Sequence, residues 1–236
     1  MDLIRHRLLK NAQTNGLMLL DAESTVREVD GVIVLNHGHR WQVESGGNLH
    51  AYHAIASMIE SQQDWYVVLG DRQMIETMDF DQVELERPYL LVQEPRTKAN
   101  LPVTRLAMQD ISDIGNLIAS TPEFGEPFRL TKLVVELTRG EIFLGVRMDG
   151  LLAGFARLVL QPDLVGLFSL CVDSRYRKRG VASSLIAASY AMSRPRPLFL
   201  SSHNPEAQRL YETLGFQKGG ELSVGTRRKK PRQSED

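Results

Sequence analysis

The chain has one cysteine, Cys171, in 236 residues. An intramolecular disulfide and a thiolate zinc cluster are therefore excluded, and a reducing compartment fits. Neither sign of charge is in excess: 28 Lys and Arg stand against 29 Asp and Glu, a formal net charge of −1. That balance gives no global attraction to nucleic acid or to an anionic membrane, so any basic site must be local. Long apolar runs are also missing. The opening stretch MDLIRHRLLKNAQTN interrupts its apolar residues with charge too often for a signal-peptide core, and no later stretch reaches the length of a membrane span. The expectation is a cytoplasmic protein with neither nucleic acid nor membrane as partner. The chain contains no G-x-x-x-x-G-K-[ST] loop, no G-x-G-x-x-G fingerprint and no G-x-S-x-G elbow, which excludes a P-loop, a Rossmann dinucleotide site and a hydrolase nucleophile turn.

What is present suffices for a buried core, since 42% of the residues are hydrophobic. In EPRTKANLP, residues 94–102, prolines and polar residues separate the strand-like YLLVQ from VTRLA and predict a boundary between two unequal halves. We expect a smaller N-terminal α/β domain over 1–95, a second domain over 101–227 and a disordered basic tail over 228–236. In the first half GVIVL and WYVVL read as buried strands, with QVELE and YLLVQ as later ones. Between the first two, Leu49, Tyr52, Ile55, Ala56 and Ile59 recur at helical spacing and predict a helix over Asn48–Ser61. The second half opens with the strand VTRLA and helices near Asp110–Ser120 and Thr131–Arg139. EIFLGVRMDGLLAGFARLVL then reads as a hairpin turning at Asp149-Gly150, a pair that adopts positive φ at little cost. The strand GLFSLCV, a basic turn, a helix from Gly180 to Met192, the strand PLFLS, a helix from Pro205 to Leu214 and a hairpin over Phe216–Thr226 complete the order βααβββαβαββ. The fold class is mixed α/β (α+β).

The basic turn, CVDSRYRKRGVA, sets Arg175, Arg177, Lys178 and Arg179 before a helix start. A helix N-terminus leaves backbone N–H groups unpaired and partly positive, so phosphate binds there if the backbone can be approached closely, as Gly180 and Ala182 would allow. A solvated basic turn is the competing reading. A second motif, HNPEAQRLYETLGF, lies downstream at 203–216. Together the two resemble the GCN5-related N-acetyltransferase superfamily over most of 101–227. The family's acetyl-CoA motif, Gln/Arg-x-x-Gly-x-Gly/Ala, is matched by Arg177, Gly180 and Ala182 after Val172-Asp173; its Asn-x-x-Ala-x-x-x-Tyr-x-x-x-Gly-Phe motif is matched by Asn204, Ala207, Tyr211, Gly215 and Phe216.

The resemblance implies a mixed central sheet of the acyl-CoA N-acyltransferase type and acetyl-CoA as co-substrate, with no metal. The strand carrying Leu170, Cys171 and Val172 would splay from the strand Phe199–Ser202, and the pantetheine arm would take the place of a paired strand. The N–H of Val172 or its neighbour would bond the thioester carbonyl. Arg177, Lys178, Arg179, Gly180, Val181 and Ala182 would hold the pyrophosphate. Asn204 and Ala207 would border the CoA arm, although Asn204 before Pro205 is also a helix start signal. Tyr211 would protonate the departing thiolate, and its alternative is core packing. The acceptor would be a primary amine of a small molecule or peptide, attacking directly in a ternary complex and bordered by Glu123, Phe124, Glu126 and Phe128 in the loop TPEFGEPF.

The strand glutamate that serves many family members as base falls at Gly166 here. Bases left open are His203, Asp163, Glu123, Glu126 or a water chain, with His203 favoured because imidazole exchanges protons near neutrality. Four of the six histidines, His37, His39, His50 and His53, crowd the first half, but with no cysteine among them they read as surface or half-buried residues rather than metal ligands. The first half faintly echoes the same element order without either motif, which suggests a degenerate acetyltransferase half; an unrelated α/β binding domain is the other reading. A homodimer is left open. The rival to an enzyme is a non-catalytic module of the same fold that senses acetyl-CoA or binds a partner.

Overall fold

The computed structural model describes residues 25–37, 40–43, 47–62, 66–97, 101–121, 130–160, 164–219 and 221–227. In chain order these form β1 (Thr25–Val29), β2 (Val32–His37), β3 (Arg40–Val43), α1 (Leu49–Gln62), β4 (Tyr66–Gly70), α2 (Arg72–Ile75), β5 (Gln82–Leu91) and β6 (Val103–Leu106). Then come α3 (Ile111–Ala119), α4 (Leu130–Thr138), β7 (Ile142–Met148), β8 (Leu151–Leu160), β9 (Val165–Val172), α5 (Val181–Ser193), β10 (Leu198–Ser202), α6 (Pro205–Leu214), β11 (Gln217–Lys218) and β12 (Leu222–Arg227). The chain divides into two compact units: one takes in residues up to Pro88, Ser201–Pro205 and the chain from Gly219, the other Tyr89–Leu200 and Glu206–Lys218.

In the first unit the strand order is β1-β2-β3-β4-β12-β5, with β3 and β4 parallel and the other pairs antiparallel. The β1–β2 hairpin turns on Asp30 and Gly31, both at positive φ (49° and 79°), as a two-residue turn requires. Asn48 caps α1 by accepting the Ala51 N–H at 2.9 Å. Ala51, Tyr52, Ile55, Ala56 and Ile59 then bury one helical stripe in a core with Val32, Val34, Trp41, Val43 and Val68. Leu49, expected in that stripe, is exposed in the first turn, and Ala51 takes its place.

Two local expectations are corrected, and the short strands β1 and β3 lie outside what the sequence predicts. QVELE and the YLL of YLLVQ belong to one strand, β5, which passes through Pro88 and ends at Leu91. Its rungs to β12 end at Glu86 and those to β11 begin at Tyr89, so Pro88 stands where its missing N–H is not needed. Phe216–Thr226 is no hairpin: β12 pairs with β4 and β5, and β11 pairs with the Tyr89–Leu90 end of β5.

In the second unit the order is β10-β9-β8-β7-β6, with β10 and β9 parallel and the rest antiparallel. The β7–β8 hairpin turns on Asp149 and Gly150, at φ 53° and 77°, as the sequence predicts. Successive strand residues point to opposite faces. Phe143, Phe155 and Cys171 therefore bury with Ile114, Leu117 and Ile118 of α3 and Leu133 of α4. Leu144, Ala156, Leu158 and Leu167 bury with Val181, Leu185 and Ile186 of α5 and Tyr211 and Leu214 of α6. The mixed α/β class and the mixed sheet stand as expected. Among the described residues, no helix is long and apolar enough to cross a membrane.

Candidate active site

Strand β9 is paired along one edge and mostly open along the other. It pairs with β8 from Val165 to Val172, but with β10 only at Val165↔Leu198 and Gly166↔Phe199. Beyond Gly166 the edge of β9 that faced β10 has no rung to it. The Asp173 N–H donates to the Ala153 carbonyl at 3.0 Å, which makes Ala153↔Asp173 a hydrogen-bonded pair. One residue earlier, Gly154↔Val172 is then a non-bonded pair, and the Val172 N–H and C=O point away from β8 toward the open edge.

A bulge shapes this edge. The β8–β9 register shifts by one residue between Phe155↔Cys171 and Arg157↔Phe168, and Ser169 in the shifted stretch has φ +53°. A bulge bends a strand and re-aims its backbone groups. Behind it, Arg157 is buried, its guanidinium 5.5 Å from the Phe168 ring centroid and ion-paired with Glu136 and Glu141.

After β9 the chain folds into a tight basic turn. Asp173 accepts from the Arg175 backbone N–H at 2.9 Å and from Arg175 Nη2 at 2.6 Å. Those bonds from Arg175 hold the carboxyl below its ordinary value despite burial. Tyr176 is buried beneath two cations, the guanidinium carbons of Arg175 and Arg179 lying 5.6 and 5.8 Å from its ring centroid. Lys178 and Gly180 both take positive φ, 60° and 83°, so the backbone curls into the start of α5. Gly180 is the N-cap and has no side chain to offer the first-turn N–H groups; its carbonyl accepts from Ser184 N at 2.9 Å. A Cβ added to Gly180 meets no atom within 4 Å, so the mouth of the turn is open.

Gly154 seats that helix end on the sheet. A Cβ there would stand 2.7 Å from Val181 Cγ1 and 2.8 Å from the Cys171 carbonyl oxygen. The uncapped helix end, the open Gly180 mouth and the edge of β9 without rungs to β10, where the Val172 carbonyl accepts from Arg177 Nε at 3.4 Å, all lie in the second unit. A diphosphate fits the first two features and an extended amide-bearing chain fits the third, which is the donor set that acetyl-CoA requires.

Tyr211 is buried on α6, and desolvation first, then neighbouring Tyr89, pushes its phenol up to about 12. Its ring centroid lies 5.5 Å from that of Phe216 and 5.9 Å from that of Tyr89. Ala207 packs half-buried on the same helix. Leu170 and Val172 are half-buried and Cys171 is buried, donating to Thr121 Oγ1 at 3.4 Å. Arg177, Lys178 and Arg179 are exposed, while Val181 is buried and Ala182 half-buried. His203 and Asn204 are exposed in the first unit, where Asn204 N donates to Ser202 Oγ at 3.1 Å. Glu123, Phe124, Glu126 and Phe128, Asp163, and the tail 228–236 lie outside the described residues.

Sequence reasoning missed Ser169, Gly154 and Tyr89. For Gly154 a signal existed: a glycine inside a strand often marks a close backbone approach. His50 and His53 are exposed on α1, and among the described residues no group of three or more His, Cys, Asp or Glu could hold a metal ion.

Comparison with known proteins agrees with the fold. No curated protein matches the sequence. Among solved structures, a GNAT-family protein from Novosphingobium aromaticivorans superposes with a TM-score of 0.62 at 22% identity, over 92% of this chain and 95% of that one. A GCN5-related N-acetyltransferase from Kribbella flavida gives 0.65 at 15% identity, over 95% and 96%. A tandem GNAT protein from the clavulanic acid biosynthesis pathway gives 0.59 at 12% identity, over 94% and 89%. At these identities the likeness carries the fold. The family profile "Acetyltransferase (GNAT) family" matches residues 111–216, the stretch that holds both sequence motifs from the basic turn to Phe216. Residues 111–216 thus carry an acetyltransferase (GNAT) family domain.

Proposed function

We propose that the second unit transfers an acetyl group from acetyl-CoA to a primary amine of a small molecule or peptide, by direct attack in a ternary complex. The observation that carries this reading is the open edge of β9 beside an uncapped helix start. The turn Arg177–Ala182 holds the pyrophosphate on the α5 N–H groups, with the exposed cations adding charge. The Val172 N–H bonds the thioester carbonyl. As the amine nitrogen attacks, that oxygen gains negative charge, so a fixed donor stabilises the transition state more than the ground state.

The C–N bond forms, the C–S bond breaks, and Tyr211 gives its proton to the leaving sulfur. A phenol pushed up to about 12 by burial is protonated at neutral pH, so the proton is present to be given, although a weaker acid gives it up less readily. The attacking amine must lose a proton. Gly166 places no carboxylate on β9, and the acceptors of that proton under this reading are His203, Asp163, Glu123, Glu126 or a water chain, with Phe124 and Phe128 bordering the amine. Asn204 and Ala207 border the CoA arm. Cys171 is packing rather than nucleophile, because it is buried with its thiol turned to Thr121. The first unit is read as a degenerate acetyltransferase half, supported by the tandem GNAT protein that matches 94% of this chain.

The test is thiol release from acetyl-CoA across a panel of primary amines, comparing wild type with Tyr211→Phe. Loss of a general acid lowers turnover by about 10² to 10⁴, so at least a tenfold fall with acetyl-CoA affinity nearly intact is expected. Unchanged turnover would remove Tyr211 from the mechanism.

A further inference from the structure

Tyr211 touches a residue that the family match does not reach. Tyr89, at the end of β5, precedes the matched stretch 111–216. Its side chain is fully buried, its ring centroid lies 5.9 Å from that of Tyr211, and the planes are tilted by 59°. Its hydroxyl donates to Glu212 Oε1 at 3.0 Å, and Glu212 follows Tyr211 directly on α6. The Tyr89 ring is thus fixed to the helix twice, by a ring contact to Tyr211 and by a hydrogen bond to the next residue. Phe216 closes on the same phenol at 5.5 Å. Among the described residues no hydrogen bond holds the Tyr211 hydroxyl itself, so the direction of the phenol is set by the rings around it.

We infer that Tyr89 and Glu212 are positioning residues that aim the Tyr211 hydroxyl at the departing sulfur. The inference rests on the reading of Tyr211 as the acid. Proton donation depends steeply on the placement of the donor, and a displacement well under the length of a bond is enough to be felt in turnover. A tilted aromatic pair restrains a neighbouring ring without offering it a competing acceptor. The alternative is that the tie merely staples the end of β5 to α6.

The experiment is a double-mutant cycle on thiol release from acetyl-CoA, with the best amine of the panel as acceptor and water as acceptor where none is turned over. Tyr89→Phe keeps the ring and loses the hydrogen bond; Glu212→Ala removes the acceptor. Each is expected to lower kcat about fivefold, the worth of one hydrogen bond, with KM for acetyl-CoA within about twofold. The pair should lose no more than either alone, and Glu212→Gln should recover most of what Glu212→Ala loses. In a Tyr211→Phe background neither change should lower kcat further. Full activity of both single variants beside an impaired Tyr211→Phe overturns this inference and leaves the acid in place. A loss that persists undiminished in the Tyr211→Phe background also overturns it, because it marks a staple. An unimpaired Tyr211→Phe, or a wild type that releases no thiol, overturns both.

Discussion

The Phe216 N–H donates to the Tyr211 carbonyl at 3.0 Å, and the two rings meet at 5.5 Å. One residue earlier, Gly215 N–H donates to the Glu212 carbonyl at 3.1 Å with φ at +99°. This is a Schellman end to α6, in which a left-handed glycine turns the chain and throws the next apolar residue back onto the last turn. The spacing Tyr-x-x-x-Gly-Phe therefore has a local physical cause: the helix end that stops α6 also packs Phe216 against the proposed acid.

Gly215→Ala tests that end. The nearest atom to an added Cβ is in Arg96 at 3.7 Å, ordinary contact, so the cost is backbone conformation. We expect a loss of about 1 kcal/mol, read from the denaturant midpoint. A midpoint equal to wild type would show that the helix end does not depend on the left-handed residue.

Gly154→Ala tests the seat of the basic turn. The added methyl meets Cys171 backbone oxygen at 2.8 Å and Val181 Cγ1 at 2.7 Å, and the backbone oxygen cannot swing aside as a side chain can. Overpacking of this kind costs roughly 1–3 kcal/mol. Thermal unfolding should show the loss, and affinity for acetyl-CoA should fall because the start of α5 is displaced from β9. Wild-type affinity in a destabilised variant would separate the seat from the site.

Alkaline stability follows from two buried phenols. Burial first, with Glu60 next, pushes Tyr66 up to about 12, and burial and Tyr89 push Tyr211 to about 12. An unfolded phenol ionises near 10, so between about pH 10 and 12 the unfolded state has released protons that the folded state still holds. Stability from this source is complete below about pH 10 and lost as pH rises toward 12. Tyrosinate absorbance should show Tyr66 and Tyr211 ionising together with unfolding, and the Tyr211→Phe variant should show one phenol fewer in that late ionisation. Free titration of both before any loss of circular dichroism would contradict their burial.

Asp173 gives the acid counterpart. Its carboxyl is held below its ordinary value, mainly by its hydrogen bonds with Arg175, so its contribution is present above the unfolded value and lost as pH falls through the lower folded one. Asp173→Asn should flatten the acid limb of a stability profile. An unaltered limb would mean that the turn is held without the charge.

Much of this was legible in the sequence because the signals are local. Gly180 and Gly215 are written as glycines where the chain must turn left-handed, and Asp149-Gly150 announces its own hairpin. The rest depends on partners remote in sequence. The bulge at Ser169 is a mismatch between β8 and β9, which neither strand encodes alone, and Tyr89 lies 123 positions from its acceptor Glu212. β1 and β3 escaped because TVREV and RWQV carry charge within very short runs. Phe216–Thr226 reads as a hairpin, yet β11 and β12 find their partners in β4 and β5 rather than in each other.

The central claim is that the turn from Arg177 to Ala182 holds acetyl-CoA, and calorimetric titration of wild type beside Gly180→Glu tests it most directly. A glutamate side chain at Gly180 has room within the protein, since an added Cβ meets nothing within 4 Å, but it would project its charge into the mouth of the turn. The account predicts saturable binding of acetyl-CoA by the wild type and none by a folded Gly180→Glu variant. Equal affinity in the two proteins would contradict it.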